Sequence, residues 1–140
     1  MPRADKLSPG TVKFLKEPHI AHVATVMKDG SPQVTPVWVD VDDDGSHVII
    51  NSRQETLKTR NGQRDPRIAL SVFDSQNAYR GVTVRGVIVE RLAGDQGGAQ
   101  HIHKMAKKYR GLDSYPWHKP EETRVSARIS PTWVESRGID

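Results

Sequence analysis

The stretch Asn51 to Arg67, NSRQETLKTRNGQRDPR, sets Arg53, Lys58, Arg60, Arg64 and Arg67 against only two acids, Glu55 and Asp65. Cations concentrated in this way attract an anionic ligand. The stretch directly follows the apolar run His47-Val48-Ile49-Ile50, so a strand is predicted to feed a short, strongly basic helix. At about 100° per residue, Gln54, Lys58 and Asn61 share one helical face, and Leu57, Arg60 and Arg64 lie on a neighbouring one. Asn51 and Ser52, at the strand end, join the free N–H groups of the first helical turn as a candidate phosphate site. A solvated basic helix is the plain alternative, and charge alone does not separate the two.

Other chemistry is thinly represented. The absence of cysteine excludes a disulfide framework, a thiolate nucleophile and Cys-ligated metal centres. There is no Gly-x-Ser-x-Gly elbow, Walker loop, Gly-x-Gly-x-x-Gly or His-Glu-x-x-His. Asp42-Asp43-Asp44-Gly45 lacks the twelve-position pattern of a calcium loop. His101 and His103, two apart on a predicted helix, diverge by about 200° and do not chelate one ion. An enzyme with neither nucleophile nor metal draws its reactivity from an organic cofactor.

The elements that must position these residues read as follows. Ser8-Pro9 caps a short helix from Gly10 to Glu17, with Val12, Phe14 and Leu15 inward. His19 to Lys28 and Gln33 to Val41 form a hairpin about Asp29-Gly30. Pro36 removes a ladder donor, which places that second strand at an edge, a bulge or a ligand. A third strand spans His47 to Asn51. After the basic helix come strands at Arg67 to Asp74 and Tyr79 to Leu92, joined by a loop at Ser75 to Ala78. Gly86 marks a bend in the longer of the two. Gly94 to Gly98 reads as a flexible link into an amphipathic helix, Ala99 to Arg110, which Gly111 ends. Leu112 to Glu122 is a loop, and Arg124 to Ser130 and Thr132 to Ser136 are strands separated at Pro131. The whole describes a mainly β chain, a small barrel of six to seven antiparallel strands with a few helices.

The chain of 140 residues is expected to be a single domain, 1–140, with 35% hydrophobic residues and a formal net charge of +4. That apolar share leaves room for a second subunit to complete the buried surface. No apolar run approaches the roughly 20 residues that span a bilayer, and MPRADKLSPG shows no signal-peptide core, so a cytoplasmic protein is expected.

Gln33-Val34-Thr35-Pro36-Val37-Trp38, then Asn51-Ser52, then Lys58-Thr59-Arg60-Asn61 with Arg64-Asp65-Pro66-Arg67, resembles the flavin and deazaflavin oxidoreductases of the pyridoxamine 5′-phosphate oxidase-like superfamily. The likeness runs from about Leu7 to the final strand. It is greatest to the short actinobacterial branch that uses coenzyme F420, which implies a split β-barrel and a homodimer with two cofactor sites at the interface. The family pattern places the cofactor ring along Gln33, Val34, Thr35, Pro36, Val37 and Trp38, with Asn51 and Ser52 beside ring and ribityl chain. Lys58, Thr59 and Arg60, with Asn61 following, are implied to hold the phosphate, and Arg53 and Arg64 to meet remaining charge. Tyr79, Arg80 and Trp133 are implied to arrive from the partner subunit, with Tyr79 a candidate proton donor. Each also has a structural reading, as a strand start or buried interface.

The resemblance implies hydride transfer from reduced F420 to an unsaturated or quinone-like small molecule. FMN is the alternative cofactor. Lys6, Lys13 and Lys16 on the first helix extend the basic run and favour the longer anionic tail of F420. A non-catalytic F420 carrier shares every binding residue. A nucleic-acid-binding barrel is disfavoured, because Trp38, Tyr79, Trp117 and Trp133 are scattered with no basic-aromatic alternation along one strand.

Overall fold

The computed structural model describes residues 6–140; the first part of the segment read as lacking a signal peptide, residues 1–5, lies outside the described residues. Helix α1 (Pro9–Lys16) starts as its sequence directs: the Thr11 amide donates to Ser8 Oγ at 3.1 Å, and Pro9 occupies the first turn, where no N–H is needed. Strands β1 (Ala21–Val26) and β2 (Pro32–Val37) form the expected hairpin, with Gly30 at φ 89° in its turn. They are followed by β3 (Val39–Val41), β4 (Val48–Arg53), helix α2 (Leu57–Arg64), β5 (Arg67–Asp74), β6 (Asn77–Ala93), helix α3 (Gly98–Arg110) and β7 (Arg124–Arg137).

All seven strands lie in one antiparallel sheet ordered β2-β1-β5-β6-β7-β4-β3. Its two edge strands, β2 and β3, are separated in sequence by a single residue, Trp38. One residue spans only about 3.5 Å of chain. The sheet must therefore curl until its edges meet, and Trp38 sits on a seam that no ladder closes. This is a split β-barrel, as expected.

Several boundaries differ from the sequence reading. The predicted strand from Gln33 to Val41 is divided at Trp38, where the chain passes from one edge to the other. There the Val39 N–H donates to the Tyr109 hydroxyl (3.0 Å) instead of to a strand. Pro131 does not divide the last strand: it pairs with Gly86 while Trp133 pairs with Arg85, so Thr132 is the extra residue of a bulge. The bend expected at Gly86 lies in that bulge, where a Cβ would strike the Ser130 carbonyl oxygen. Finally, Ser75 to Ala78 is shorter than a loop, since β6 begins at Asn77, and Gly94–Gln96 winds into a 3-10 turn.

The barrel interior is filled by Phe14 and Leu15 from α1 and by Val23, Val39, Val41, Val48, Leu70, Val72, Val82, Val84 and Ile129 from the strands. Each such burial stabilises the fold by about 1.5–3 kcal/mol. Phe14 stacks on His19 at 4.4 Å, beneath the guanidinium of Arg80. Helix α1 thus plugs one end of the barrel. Helix α2 packs on β1 and β4, and α3 lies over β7 and β4.

Candidate functional site at the barrel seam

Strand β4 runs two residues further than predicted, to Arg53, and its alternation divides the candidate residues between two faces. Ser52 points to α2, where its hydroxyl lies 2.5 Å from Thr59 Oγ1. Asn51 points to α3, donating from Nδ2 to the Gly98 carbonyl (2.9 Å) and accepting at Oδ1 from Arg124 Nε (3.0 Å). The two side chains read together as one anion pocket are therefore separated by the strand itself.

On the α2 side, Thr59 Oγ1 also donates to the Arg53 carbonyl (2.9 Å), tying the helix to the strand end. Thr56 stands at the N-cap, but its hydroxyl is turned to the Arg53 carbonyl (2.9 Å) and Thr59 Oγ1 (3.0 Å) and caps none of the first-turn N–H groups, and that turn carries no acid. Its free N–H groups leave a helix start suited to an anion. Asn61 is 1% exposed and donates to Thr25 Oγ1 (3.1 Å), while Arg64 bonds the Val26 carbonyl. Both fasten α2 to β1. Arg60 stays exposed.

Lys58 is half-buried, and its pKa is lowered by burial first and then by the charges of Arg124 and Arg53. Arg124 is 8% exposed, and burial likewise lowers its pKa, with Glu122 and Tyr115 among the opposing influences. Arg53 and Arg124 are direct cross-strand partners in the β4–β7 ladder. Like charges so placed destabilise a sheet. Among the described residues, Glu55 and Glu122 stand 3.5 and 3.7 Å from Arg53, whereas Lys58 and Arg124 have no salt-bridge partner. Three cations from three elements thus converge with incomplete compensation. An anion bound among them would remove that repulsion.

Across the seam, β2 is an edge strand, as Pro36 required. Gln33 and Thr35 lie on the same face, opposite Thr25 and Val23 of β1, and Gln33 Oε1 and Thr35 Oγ1 are buried without a hydrogen-bond partner. Buried polar atoms are seldom left unpaired in a complete site. Val34 and Pro36 are exposed on the opposite face, Val37 joins the core, and Trp38 stacks on Tyr109 with ring centroids 5.1 Å apart.

The three residues expected from a partner lie away from this cluster within one chain. Tyr79 is 86% exposed on the β5–β6 hairpin. Arg80 is engaged by Glu17 (2.8 Å) and Asp74 (3.2 Å). Trp133 lies under Arg85, its ring 4.4 Å from the guanidinium, with a buried, unpartnered Nε1. Of the first-helix lysines, Lys16 pairs with Asp43, and α1 packs against β3 rather than beside α2. The lysines therefore do not extend the α2 charge cluster within one chain. Asp42 is occupied by Arg128 and His47, and Asp44 by Ser46.

Arg124 escaped the sequence reading, as did the network that orients it. Asp40, buried between β3 and α3, accepts from His101 Nε2 (3.1 Å), Lys104 Nζ (3.1 Å) and its neighbour's amide at Val41 (2.9 Å). Burial alone would raise the Asp40 pKa; those hydrogen bonds outweigh it and hold the carboxyl well below the usual range. Its contribution to stability is therefore complete above about pH 4 and lost as pH falls toward the folded value. Asp40→Asn is expected to cost about 1–2 kcal/mol at pH 7. In urea melts at decreasing pH the deficit should narrow; a deficit independent of pH contradicts this assignment.

The sequence profile of the pyridoxamine 5′-phosphate oxidase family matches residues 7–138. No curated protein matches the chain. Among solved structures, one described as an F420 reductase is 31% identical, covers 88% of this chain and 94% of its own, and superposes with a TM-score of 0.74. A conserved hypothetical protein of Mycobacterium tuberculosis is 22% identical over 98% of this chain and 89% of its own (TM-score 0.69). The heme storage protein HutZ of Vibrio cholerae is 18% identical over 96% of both chains (TM-score 0.64), a likeness of fold. With the profile matched over nearly the whole chain and the split barrel described above, the chain belongs to the pyridoxamine 5′-phosphate oxidase-like split-barrel family.

Proposed function

We propose that this protein is an F420-dependent oxidoreductase that reduces an unsaturated or quinone-like small molecule. The observation that carries the reading is the under-compensated set Arg53, Lys58 and Arg124, beside the open helix start of α2, in a chain 31% identical to an F420 reductase. The residues fit such a group: the phosphate would meet Lys58, the Thr59 turn and Arg60, with Arg53 and Arg64 at its margin. The ring would lie along Gln33 to Trp38, where Gln33 Oε1 and Thr35 Oγ1 lack partners. Bound F420 supplies a hydride. The chain's own work is positional: β2 and Trp38 fix the ring's edge and plane, and the cations neutralise the phosphate.

The homodimer belongs to the same proposal. The outer face of β1, β5 and β6 bears a groove of about 360 Å³ lined by Ala24, Val26, Ile68, Ala69 and Val87, among others, with Val34, Phe73 and Val89 exposed elsewhere on the surface. A second subunit seated there would cover apolar surface and could bring its Tyr79, Arg80 and Trp133 toward the first subunit's seam. FMN is the second reading, favoured by the broader family match. Absorbance at the F420 maximum during incubation of reduced F420 with menadione tests turnover. Steady reoxidation that depends on the protein supports the reductase; tight F420 binding without turnover of any acceptor leaves a carrier.

A further inference from the structure

Between β3, β4, β7 and α3 lies a separate cavity of about 130 Å³, lined by Trp38, Asn51, Ile102, Tyr115 and Arg124. The geometry points to this cavity as the receptor for a small planar carboxylate, the conjugated acid group of the substrate, with Arg124 as its anchor. This inference rests on the reductase reading for the words "of the substrate" and on the cavity alone for the carboxylate.

The argument begins with what Arg124 lacks. It is more than nine-tenths buried, yet its recorded side-chain bond is Nε to Asn51 Oδ1, and no carboxylate pairs with it among the described residues. Its two Nη groups make no hydrogen bond among the described residues, and Arg124 lines the cavity. A buried guanidinium without an acid is costly unless a ligand completes it. A fork of two free N–H edges matches a carboxylate bidentately.

The arginine is also held in place. Asn51 Nδ2 faces the Gly98 carbonyl and so must donate, which makes His101 Nδ1 (3.1 Å) an acceptor. His101 is then the neutral tautomer with its proton on Nε2, given to Asp40. Each step fixes the next, and the last is the direction of the Arg124 fork. Asn51, His101 and Asp40 are positioning residues in this account.

The walls select the rest of the ligand. Tyr115 lies against the guanidinium (5.1 Å) and edge-on to Trp38 (6.2 Å), and Ile102 adds an aliphatic wall. Flat aromatic surface beside an anion receptor suits a conjugated acid better than a flexible acidic chain. The cavity is too small for a tricyclic ring. It adjoins the proposed cofactor track through Trp38, which lines both.

Cinnamate and its neutral isostere cinnamamide are suitable probes, with binding to the apo protein followed by ligand-observed NMR. Cinnamate should bind at least tenfold more tightly than cinnamamide. In Arg124→Met that preference should collapse to about one, and Arg124→Lys, which keeps charge but loses the fork, should recover only part of it. A merely structural loss would weaken both probes together; thermal melts confirm that the variants fold. Arg124→Met also removes one charge from the set around Lys58, so some loss of F420 affinity accompanies it; the preference for the acid over the amide is the readout that assigns the cavity. Equal binding of the two probes to the unsubstituted protein overturns the inference, as does a tenfold loss of F420 affinity with acid preference intact, which would assign Arg124 to the cofactor's own acidic tail. A protein that prefers cinnamate but binds no F420 upholds the cavity and removes the reductase reading.

Discussion

Replacing Lys58 and Arg60 together by alanine is expected to weaken F420 binding by roughly a hundredfold or more while leaving the fold intact. A hydrogen bond to a charged group contributes about 1.5–3 kcal/mol, and each 1.4 kcal/mol is tenfold in affinity. The two residues do not carry equal shares. Lys58 is half-buried and pressed by Arg124 and Arg53, so its single loss should account for most of the effect, while exposed Arg60 is screened by solvent. The same crowding sets the sign of the stability change. Without ligand, Lys58→Ala removes a desolvated, repelled cation, and the apo protein should melt no lower than the parent. A paired fluorescence titration and thermal melt reads both quantities. Unchanged affinity in the double variant would place the phosphate elsewhere, and a large loss of apo stability would make Lys58 a structural residue.

Gly98→Ala is expected to destabilise the protein by about 3 kcal/mol, the upper end of the usual cost of overpacking. A Cβ at Gly98 would collide with the Arg124 carbonyl oxygen and lie 2.8 Å from that of Leu92. Both obstacles are backbone, so neither yields by rotation of a side chain. For a chain of this length the change corresponds to a fall of roughly 10 °C in melting temperature. The same contact joins fold to site, because the Gly98 carbonyl accepts from Asn51 Nδ2, and Asn51 orients Arg124. A melting temperature within two or three degrees of the parent would show that α3 rides loosely over β7.

Much of the barrel was legible because local rules decided it. Ser8-Pro9 could only begin a helix, Asp29-Gly30 could only turn a hairpin, and Gly86 foretold the bulge that lets β6 and β7 bend. The closure was not legible. It follows from which strands are neighbours, and nothing in Val37-Trp38-Val39 says that one residue links the two edges of a sheet. The site divided along the same line. The cations of α2 lie together in sequence and were visible there. Arg124 meets them only through the pairing of β7 with β4, 71 residues after Arg53 in the chain. In sequence Arg124 follows Glu121 and Glu122 closely, whereas in the fold Glu122 approaches Arg53 and leaves Arg124 without a salt bridge. Asn51 and Ser52 failed as a pair for a simpler reason. The strand continued past them, and its two-residue period sent them to opposite faces.

The most direct test of the account is titration of the apo protein with F420 and, separately, with FMN at several salt concentrations. The cation cluster requires saturable F420 binding at one site per chain, tighter than FMN and weakening steadily as salt rises. Binding of neither cofactor, tighter binding of FMN, or F420 affinity indifferent to salt would contradict it.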